Sequence, residues 1–343
     1  MPILRRVQEI KEAVASSNDN DLSFVTRKIN VDSVVSTGST LLDLARSGKR
    51  RRGGGVPGGI VIEIFGGAGA GKTAILAEIC AHAQNLGGSV KFQDPEARLD
   101  REYSRIYDME LKADDYSRPD TVEEVFEAIK EWKPDDPSKI NVVATDSLAA
   151  LSTELELSPK GDKMGMKRAK EFSAGFRKTT RQITKNNWLL ACTNQTRQGD
   201  YGETTPGGNA IAFYSSLRLR VRQVELIYQE KEIASGKKVK KAIGIESEVF
   251  VKKSTIDDPY REVPVYIVFG YGIDDIRGNL QYIKDMNGNT KYECPDGQSY
   301  VSLNAAILHI EKEELAKVLK EQTIDLWESI EAKFNLNRVR KER

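Results

Sequence analysis

The sequence predicts an α/β fold in which a mostly parallel central sheet is extended by antiparallel strands. Between Val31 and Ile273, short apolar runs alternate with longer segments of helical periodicity, the pattern of a parallel sheet with crossover helices. A glycine-rich segment, Gly66–Thr73, lies between a predicted buried strand and a predicted helix. After Gly208 the apolar residues follow period two with few helices between the runs, which favours antiparallel additions to the sheet.

Four strands and the helices between them account for the parallel part of the sheet. We expect strands at 60–65, 89–93, 140–145 and 188–193, and helices at 73–86, 121–132 and 166–185. Asp94, followed by Pro95, is expected to cap a further helix, because its carboxylate can accept from free N–H groups and proline suits the first turn. Apolar residues alternate at 217–222 and again at 263–269, and the polar segment Val224–Lys241 between them predicts a hairpin or loop.

The chain divides into three predicted parts. Residues 1–32 form a helix and linker, residues 33–275 the core, and residues 276–343 a small α+β domain with a turn at Asn287-Gly288. The N-terminal helix has an apolar stripe that either packs on its own domain or docks on a neighbouring subunit as an oligomerisation arm. The basic insertion Lys49–Gly55 is interpreted as a solvated flexible loop rather than a DNA-contact patch.

Composition excludes several classes of protein. The chain has 343 residues, and Lys+Arg 52 against Asp+Glu 51 gives a net charge of +1, so any affinity for nucleic acid must come from local patches. The three cysteines and two histidines show no metal-ligand spacing, and we therefore expect reduced thiols, a cytoplasmic location and no Cys/His metal site. The N-terminus lacks the apolar core of a signal peptide, and no apolar run approaches the roughly 18 residues needed to span a bilayer. No membrane partner is expected.

The glycine-rich segment matches the phosphate-binding pattern G-x-x-x-x-G-K-[ST]. Its backbone N–H groups would close around the phosphates of ATP, Lys72 would reach the outer phosphates and Thr73 would hold Mg²⁺. The alternative is a glycine-rich turn that binds nothing, which the complete motif and its flanks disfavour. The predicted cofactor-binding residues are Gly66, Gly67, Ala68, Gly69, Ala70, Gly71, Lys72, Thr73 and Ala74.

Two carboxylates follow neighbouring predicted strands. Asp146 ends the strand at 140–145 and is the candidate second ligand of Mg²⁺, the alternative being an ordinary helix cap. Glu96 follows the strand at 89–93 and could activate the attacking water. Its alternative role is charge compensation in the first turn of a helix. Spacing alone does not choose between the two for Glu96.

Six motifs follow one another in unbroken order between about Ser33 and Ile273: Val35–Leu44, Asp94–Asp100, Asp146–Leu151, Thr193–Arg197, Thr204–Ala210 and Phe213–Leu219. With these motifs the core resembles the RecA family of recombinases. The terminal segments match only loosely the polymerisation arm and small C-terminal domain of the bacterial proteins.

The resemblance implies a role for each matching residue of an ATP site. The expected catalytic residues are Glu96, Lys72 and Gln195. Glu96 would activate the attacking water as the base. Gln195 would sense the terminal phosphate and transmit its state to the loop that follows. Asp100 and Tyr103 would contact the adenine. Lys253 would reach ATP from the neighbouring subunit.

The resemblance also implies DNA binding by two loops, around Glu156–Met166 and Thr196–Gly208. Lysine and arginine there could contact phosphates, Tyr201 could stack on bases and the glycines could allow close approach of the backbone. A lysine-rich loop taken alone is usually a solvated face. The expected DNA-binding residues are Lys160, Lys163, Lys167, Arg168, Arg197, Tyr201, Gly207, Gly208 and Asn209.

Three features depart from the bacterial pattern. Thr255 replaces the second lysine that reaches ATP across the interface, the second loop is shorter, and the C-terminus Arg338–Arg343 is basic where many members are acidic. These departures suit a divergent member, such as one from a phage or mobile element.

The sequence thus predicts a DNA-stimulated ATPase of recombination and repair. It would form helical filaments on single-stranded DNA and pair this with homologous double-stranded DNA. The alternatives are a RecA-fold motor or recombination mediator without strand exchange, and a regulatory switch that binds ATP with little turnover.

Overall fold

A mixed sheet of nine strands forms the centre of the computed structural model, which describes residues 32–153, 165–199, 202–334 and 338. The strands of the described residues are β1 (Val34–Val35), β2 (Val56–Pro57), β3 (Ile60–Gly66), β4 (Val90–Gln93), β5 (Tyr116–Ser117), β6 (Val142–Thr145), β7 (Leu189–Gln195), β8 (Arg197–Gly199), β9 (Gly202–Thr204), β10 (Leu217–Glu232), β11 (Lys238–Ser254), β12 (Glu262–Val268), β13 (Gly272–Ile273), β14 (Tyr292–Glu293) and β15 (Ser299–Tyr300). The large sheet has the order β13-β12-β11-β10-β3-β7-β6-β4-β5. The predicted N-terminal helix, within residues 1–31, lies outside the described residues.

The sheet is parallel from β10 to β5 and antiparallel from β10 to β13. The parallel strands β3, β6 and β7 are almost wholly buried, as expected for strands covered by helices on both faces. The polar segment 224–241 is a hairpin, because β10 and β11 continue past the sheet and are joined at residues 233–237. This confirms the predicted fold class.

Helices cover the sheet and connect its strands. Within the described residues they are α1 (Thr40–Ser47), α2 (Lys72–Asn85), α3 (Arg101–Ile106), α4 (Val122–Glu131), α5 (Gly165–Lys185), α6 (Asn209–Tyr214), α7 (Asp275–Asn287), α8 (Leu303–Lys312) and α9 (Ala316–Lys333). A capping box of Thr121 and Glu124 starts α4. Gly175 lets α5 approach α4 closely, since a Cβ there would lie 2.1 Å from the Phe126 ring. None of these helices is long and apolar enough to cross a bilayer.

The helix predicted to start at Asp94 begins instead at Arg101, and Asp100 caps it. Asp94 accepts hydrogen bonds from the backbone of Arg98 (3.1 Å) and Leu99 (2.8 Å) and from the Tyr116 hydroxyl (2.8 Å). A helix cap accepts from N–H groups two or three residues further along, whereas Asp94 accepts from groups four and five residues further along. Its bonds therefore hold an irregular turn after β4 and do not start a helix. The turn predicted at Asn287-Gly288 is the end of α7, where Gly288 has φ 67°.

The basic side chains of the insertion are mostly exposed to solvent, as interpreted from the sequence, but they pair with other parts of the chain, so the insertion is not a free loop. Arg52 donates to carboxylates of Glu321, Asp325 and Glu328 on α9, each at 2.8 Å. Lys49 pairs with Asp258 at 2.7 Å. Arg52 thus connects the insertion to the acidic face of α9, and Lys49 connects it to the segment between β11 and β12.

Candidate functional site

The glycine-rich segment joins the end of β3 to the start of α2. Gly71 has φ 87°, and a Cβ there would lie 2.2 Å from Ile267. Both the backbone conformation and the lack of space therefore require glycine at this position. Lys72 Nζ donates to the carbonyl oxygens of Gly66 (3.2 Å) and Gly67 (2.6 Å), which curls the ammonium group over the loop. Burial lowers the pKa of Lys72, and the carboxylates of Asp146 and Glu96 oppose this shift. The helix N-terminus and the ammonium group together can hold phosphate oxygens.

Thr73 and Asp146 meet beside this loop. The Thr73 hydroxyl donates to Asp146 Oδ2 at 2.6 Å, and the Thr193 hydroxyl donates to Oδ1. Asp146 caps no helix, because the following 3-10 turn has Ser147 at its N-cap. A hydroxyl and a carboxylate side by side are the oxygen ligands that Mg²⁺ prefers. The pair can therefore hold a magnesium ion together with phosphate oxygens.

Binding of magnesium nucleotide should weaken at acidic pH through Asp146. Burial raises the pKa of Asp146, the negative charges of Glu96 and Asp94 raise it further, and the two threonine hydroxyls act in the opposite direction. The proton on Asp146 thus stabilises the folded, ligand-free protein relative to the unfolded chain. This stabilisation is fully present below the ordinary aspartate pKa of about 3.9, and it is lost as pH rises through the raised pKa of folded Asp146. Mg²⁺ needs the ionised form. We expect the rise in Tm caused by magnesium ATP to shrink as pH falls through this window.

The control for this prediction is Asp146→Asn. The amide is uncharged at every pH, as protonated Asp146 is, so the rise in Tm with magnesium ATP should be small throughout and should follow only the titration of the nucleotide itself. Thermal denaturation at several pH values, with and without magnesium ATP, compares the two proteins. An identical pH profile in wild type and Asp146→Asn would show that Asp146 does not take part.

Glu96 lies on the other side of the same site. Its Oε1 accepts from the Ser147 hydroxyl (2.6 Å) and the Gln195 amide (3.2 Å), and its Oε2 pairs with Arg98 Nε at 2.8 Å. Because α3 begins five residues later, Glu96 does not compensate a helix dipole. Its carboxylate is half-buried and is held in place by these three groups. A general base needs such a fixed position, because it must lie within hydrogen-bond reach of the proton that it accepts.

A cavity of about 580 Å³ joins these groups. Tyr103 and Tyr107 form part of its wall, with ring centroids 5.2 Å apart and planes tilted by 52°, and offer aromatic ring surfaces for a base. The predicted site residues that line it are Ala68, Gly69, Ala70, Gly71, Lys72, Thr73, Ala74, Glu96, Tyr103, Asp146 and Gln195. Asp100 is outside this lining and accepts from the Tyr103 backbone at 2.7 Å as the cap of α3.

Lys253 lies apart from the cavity of its own chain. It stands opposite Arg218 in the β10–β11 pair, and its ammonium group donates to the carbonyl oxygens of Ala212 (2.9 Å) and Phe213 (3.0 Å) at the end of α6. Burial lowers the pKa of Lys253, and the Arg218 charge lowers it further. If Lys253 contacts a nucleotide, that nucleotide must be bound in the cavity of a second copy of the chain.

The two predicted DNA loops are described only in part. Lys160, Lys163 and Tyr201 lie outside the described residues, and Arg197 is placed by the backbone of β8 alone. Lys167 and Arg168 lie near the start of α5, where both are half-buried.

The second loop is held at both ends near the cavity. Gly207 has φ 89° and Gly208 has φ 60°, and Asn209 begins α6. The Asn194 amide donates to the carbonyl oxygen of Pro206 at 3.1 Å and to Glu63 at 2.9 Å. Gln195 and Asn194, neighbours at the end of β7, thus contact Glu96 and this loop respectively.

Sequence reasoning missed the polar residues Arg98, Ser147 and Thr193 and the ring of Tyr107. The hydroxyls of Ser147 and Thr193 follow or end parallel strands, the same signal that identified Asp146. Arg98 could have been found from its place two residues after Glu96, but its ion pair depends on the irregular turn that Asp94 holds.

Replacing Arg98 with alanine should weaken nucleotide binding modestly. Its guanidinium lines the cavity beside the carboxylates of Glu96 and Asp146, so its loss makes the site more negative toward an anionic ligand. The side chain is 76% exposed, and solvent screening limits the effect to about threefold to tenfold in affinity. Titration with a fluorescent ATP analogue at low and high salt measures it, with Arg98→Lys as the charge-preserving control. Equal affinity in wild type and Arg98→Ala would contradict the prediction.

Comparison with known proteins identifies the family. The model of the RecA N-terminal domain matches residues 11–274. Protein RecA of Thermus aquaticus is 36% identical over 258 residues, which covers 73% of this chain and 70% of that protein. The RecA proteins of Thermus thermophilus and Clostridium novyi are each 33% identical, over 88% and 90% of this chain and 84% of each relative. The family match and these relatives show that the chain is a divergent member of the RecA family.

Proposed function

We propose that this chain is a DNA-stimulated ATPase that forms filaments on single-stranded DNA and catalyses homologous pairing and strand exchange. One observation carries the proposal: the end of β7 contacts Glu96 through Gln195 and the second loop through Asn194. A change at the terminal phosphate would reach the DNA-facing loop through two consecutive residues. Membership of the RecA family supports the same activity.

ATP with Mg²⁺ would occupy the cavity beside the glycine-rich loop. Lys72 and the backbone N–H groups would bind the phosphates, and Thr73 and Asp146 would hold the ion, which neutralises charge on the phosphates. Tyr103 would stack on the adenine, and Asp100, as the cap of α3, would position Tyr103. Glu96 would accept the proton of the attacking water, with Ser147 and Gln195 orienting its carboxylate.

ATP would lie between subunits of the filament. Lys253 of the next copy would approach the phosphates after exchanging its bonds to α6, and residues 1–32 would dock on a neighbour. Binding of ATP favours the DNA-holding state and hydrolysis releases it, because the two nucleotide states interact differently with the same loop. Strand exchange breaks no covalent bond, and the chemistry is cleavage of the phosphoanhydride.

A DNA-dependence assay separates this function from its alternatives. ATP hydrolysis is measured with and without single-stranded DNA, alongside a strand-pairing assay with homologous and heterologous duplexes. We expect stimulation by DNA and pairing with the homologous duplex alone. Stimulation without pairing would indicate a motor, and neither activity would indicate an ATP-binding switch. Electron microscopy of the protein with single-stranded DNA and ATP tests filament formation directly.

A further inference from the structure

Three metal-binding side chains converge in the C-terminal part of the chain. Cys294 and Asp296 lie in the turn that joins β14 to β15, and His309 projects from α8 toward them. One sulfur, one carboxylate oxygen and one ring nitrogen all lie within 4.8 Å of one another. The expectation of no Cys/His metal site rested on cysteine and histidine alone, and it could not include an aspartate brought in by the hairpin.

The distances fit a single small ion. His309 Nε2 and Asp296 Oδ2 are 2.8 Å apart, whereas two ligands bound to one tetrahedral zinc ion at about 2.0 Å are separated by about 3.3 Å. An ion can therefore replace the proton between these two atoms after a movement of about half an ångström. The sulfur lies within 4.8 Å of both atoms, and its bond to zinc is longer, about 2.3 Å.

The hairpin positions its two ligands before any ion binds. Cys294 N donates to Gln298 O at 2.8 Å, and Gly297 N donates to Cys294 O at 2.9 Å, so the turn is closed by its own backbone. Gly297 has φ 87°, a conformation that glycine adopts without strain. On the other side, the Tyr300 ring packs 5.3 Å from His309 and restricts the imidazole. Preorganised ligands of this kind lower the entropy lost on binding.

The surroundings suit a cation with one open position. Cys294 is buried beside the apolar cluster that includes Ala306 and Ile310, while Asp296 is exposed, so solvent can reach one side of the group. The carboxylate of Glu313 lies close enough to interact electrostatically with both Asp296 and His309. Soft sulfur, imidazole and carboxylate together favour Zn²⁺ over Mg²⁺ or Ca²⁺.

We propose that Cys294, Asp296 and His309 bind a zinc ion, with water as the fourth ligand. Binding forms the metal–sulfur and metal–nitrogen bonds and releases the thiol proton to solvent. The proton that His309 Nε2 shares with Asp296 also passes to solvent, and Nδ1 carries the proton of the neutral, metal-bound ring. The ion would fasten the β14–β15 hairpin to α8. The proposal is independent of the nucleotide site, whose expected metal ligands are oxygen atoms.

Titration of the full chain with Co²⁺ tests the site, because a thiolate ligand gives cobalt a near-ultraviolet charge-transfer band that oxygen ligands do not give. We expect the band in wild type at one equivalent, and Zn²⁺ should displace it. Cys294→Ser should abolish the band, and His309→Gln should weaken binding at least tenfold. The matched controls are Cys80→Ser and His82→Gln, which should bind as wild type does.

Thermal denaturation gives a second measurement. One equivalent of Zn²⁺ should raise the Tm of wild type and leave that of His309→Gln unchanged. Absence of the thiolate band in wild type would overturn the proposal, as would an unchanged band in Cys294→Ser. In either case the group is an ordinary Asp–His hydrogen bond beside an inert thiol.

Discussion

Glu96→Gln is expected to abolish ATP turnover while ATP-dependent binding to single-stranded DNA persists. Glutamine keeps the shape of the side chain but cannot accept the proton of the attacking water. General bases contribute about 10² to 10⁴ in rate, and we expect a loss in that range. ATP binding should survive because the phosphates are held by Lys72 and the backbone of the loop. Phosphate release and DNA-binding anisotropy measure the two properties.

The matched control is Glu102→Gln, the same change at an exposed position on α3. It should hydrolyse ATP at the wild-type rate. Hydrolysis retained in Glu96→Gln would remove Glu96 from its role as base. Loss of ATP binding together with hydrolysis would instead show that the anchors of Glu96 shape the cavity.

Arg218→Met should lower the free energy of unfolding by about 3–5 kcal/mol, because it leaves a buried carboxylate without its counter-ion. Glu63 is fully buried in β3, and its Oε2 accepts from Arg218 Nε at 2.5 Å. The guanidinium also stacks on the Phe65 ring, 4.5 Å from its centroid. Urea denaturation of the ligand-free protein measures the change.

Two further variants complete that experiment. The double variant Glu63→Gln, Arg218→Met removes the buried charge as well and should recover part of the lost stability. Arg222→Met, on the same strand, breaks an exposed pair with Glu248 and should change stability little. If Arg218→Met were as mild as Arg222→Met, the buried pair would not matter to the fold.

The parallel core could be predicted because its signals are local. Buried strands show as apolar runs, and the glycine-rich loop follows a fixed pattern between a strand and a helix. Asp146 and Glu96 were found by the same logic, since the carboxyl ends of parallel strands meet at one edge of a sheet.

The errors arose where distant contacts decide local structure. Asp94 looked like a helix cap, but it is held by Tyr116 across the neighbouring strand. Arg52 looked like a loop residue because its three partners lie about 270 positions further along the chain. No pattern within a short window contains these contacts. The ion pair between Arg98 and Glu96 is local in sequence, but the irregular turn that forms it depends on the bonds of Asp94 to Arg98 and Tyr116.

The second loop leaves the sheet and returns to the place where it began. Thr196 N donates to the Gly66 carbonyl at 3.2 Å, and Pro206 O accepts from Asn194 at 3.1 Å. Joining the ends of a loop costs conformational entropy that rises with the logarithm of its length. In this protein the ends are already joined in the folded, ligand-free state, so the entropy of joining them is lost on folding and not on binding. A ligand of the loop therefore does not have to bring its two ends together, and more of the contact free energy remains as affinity.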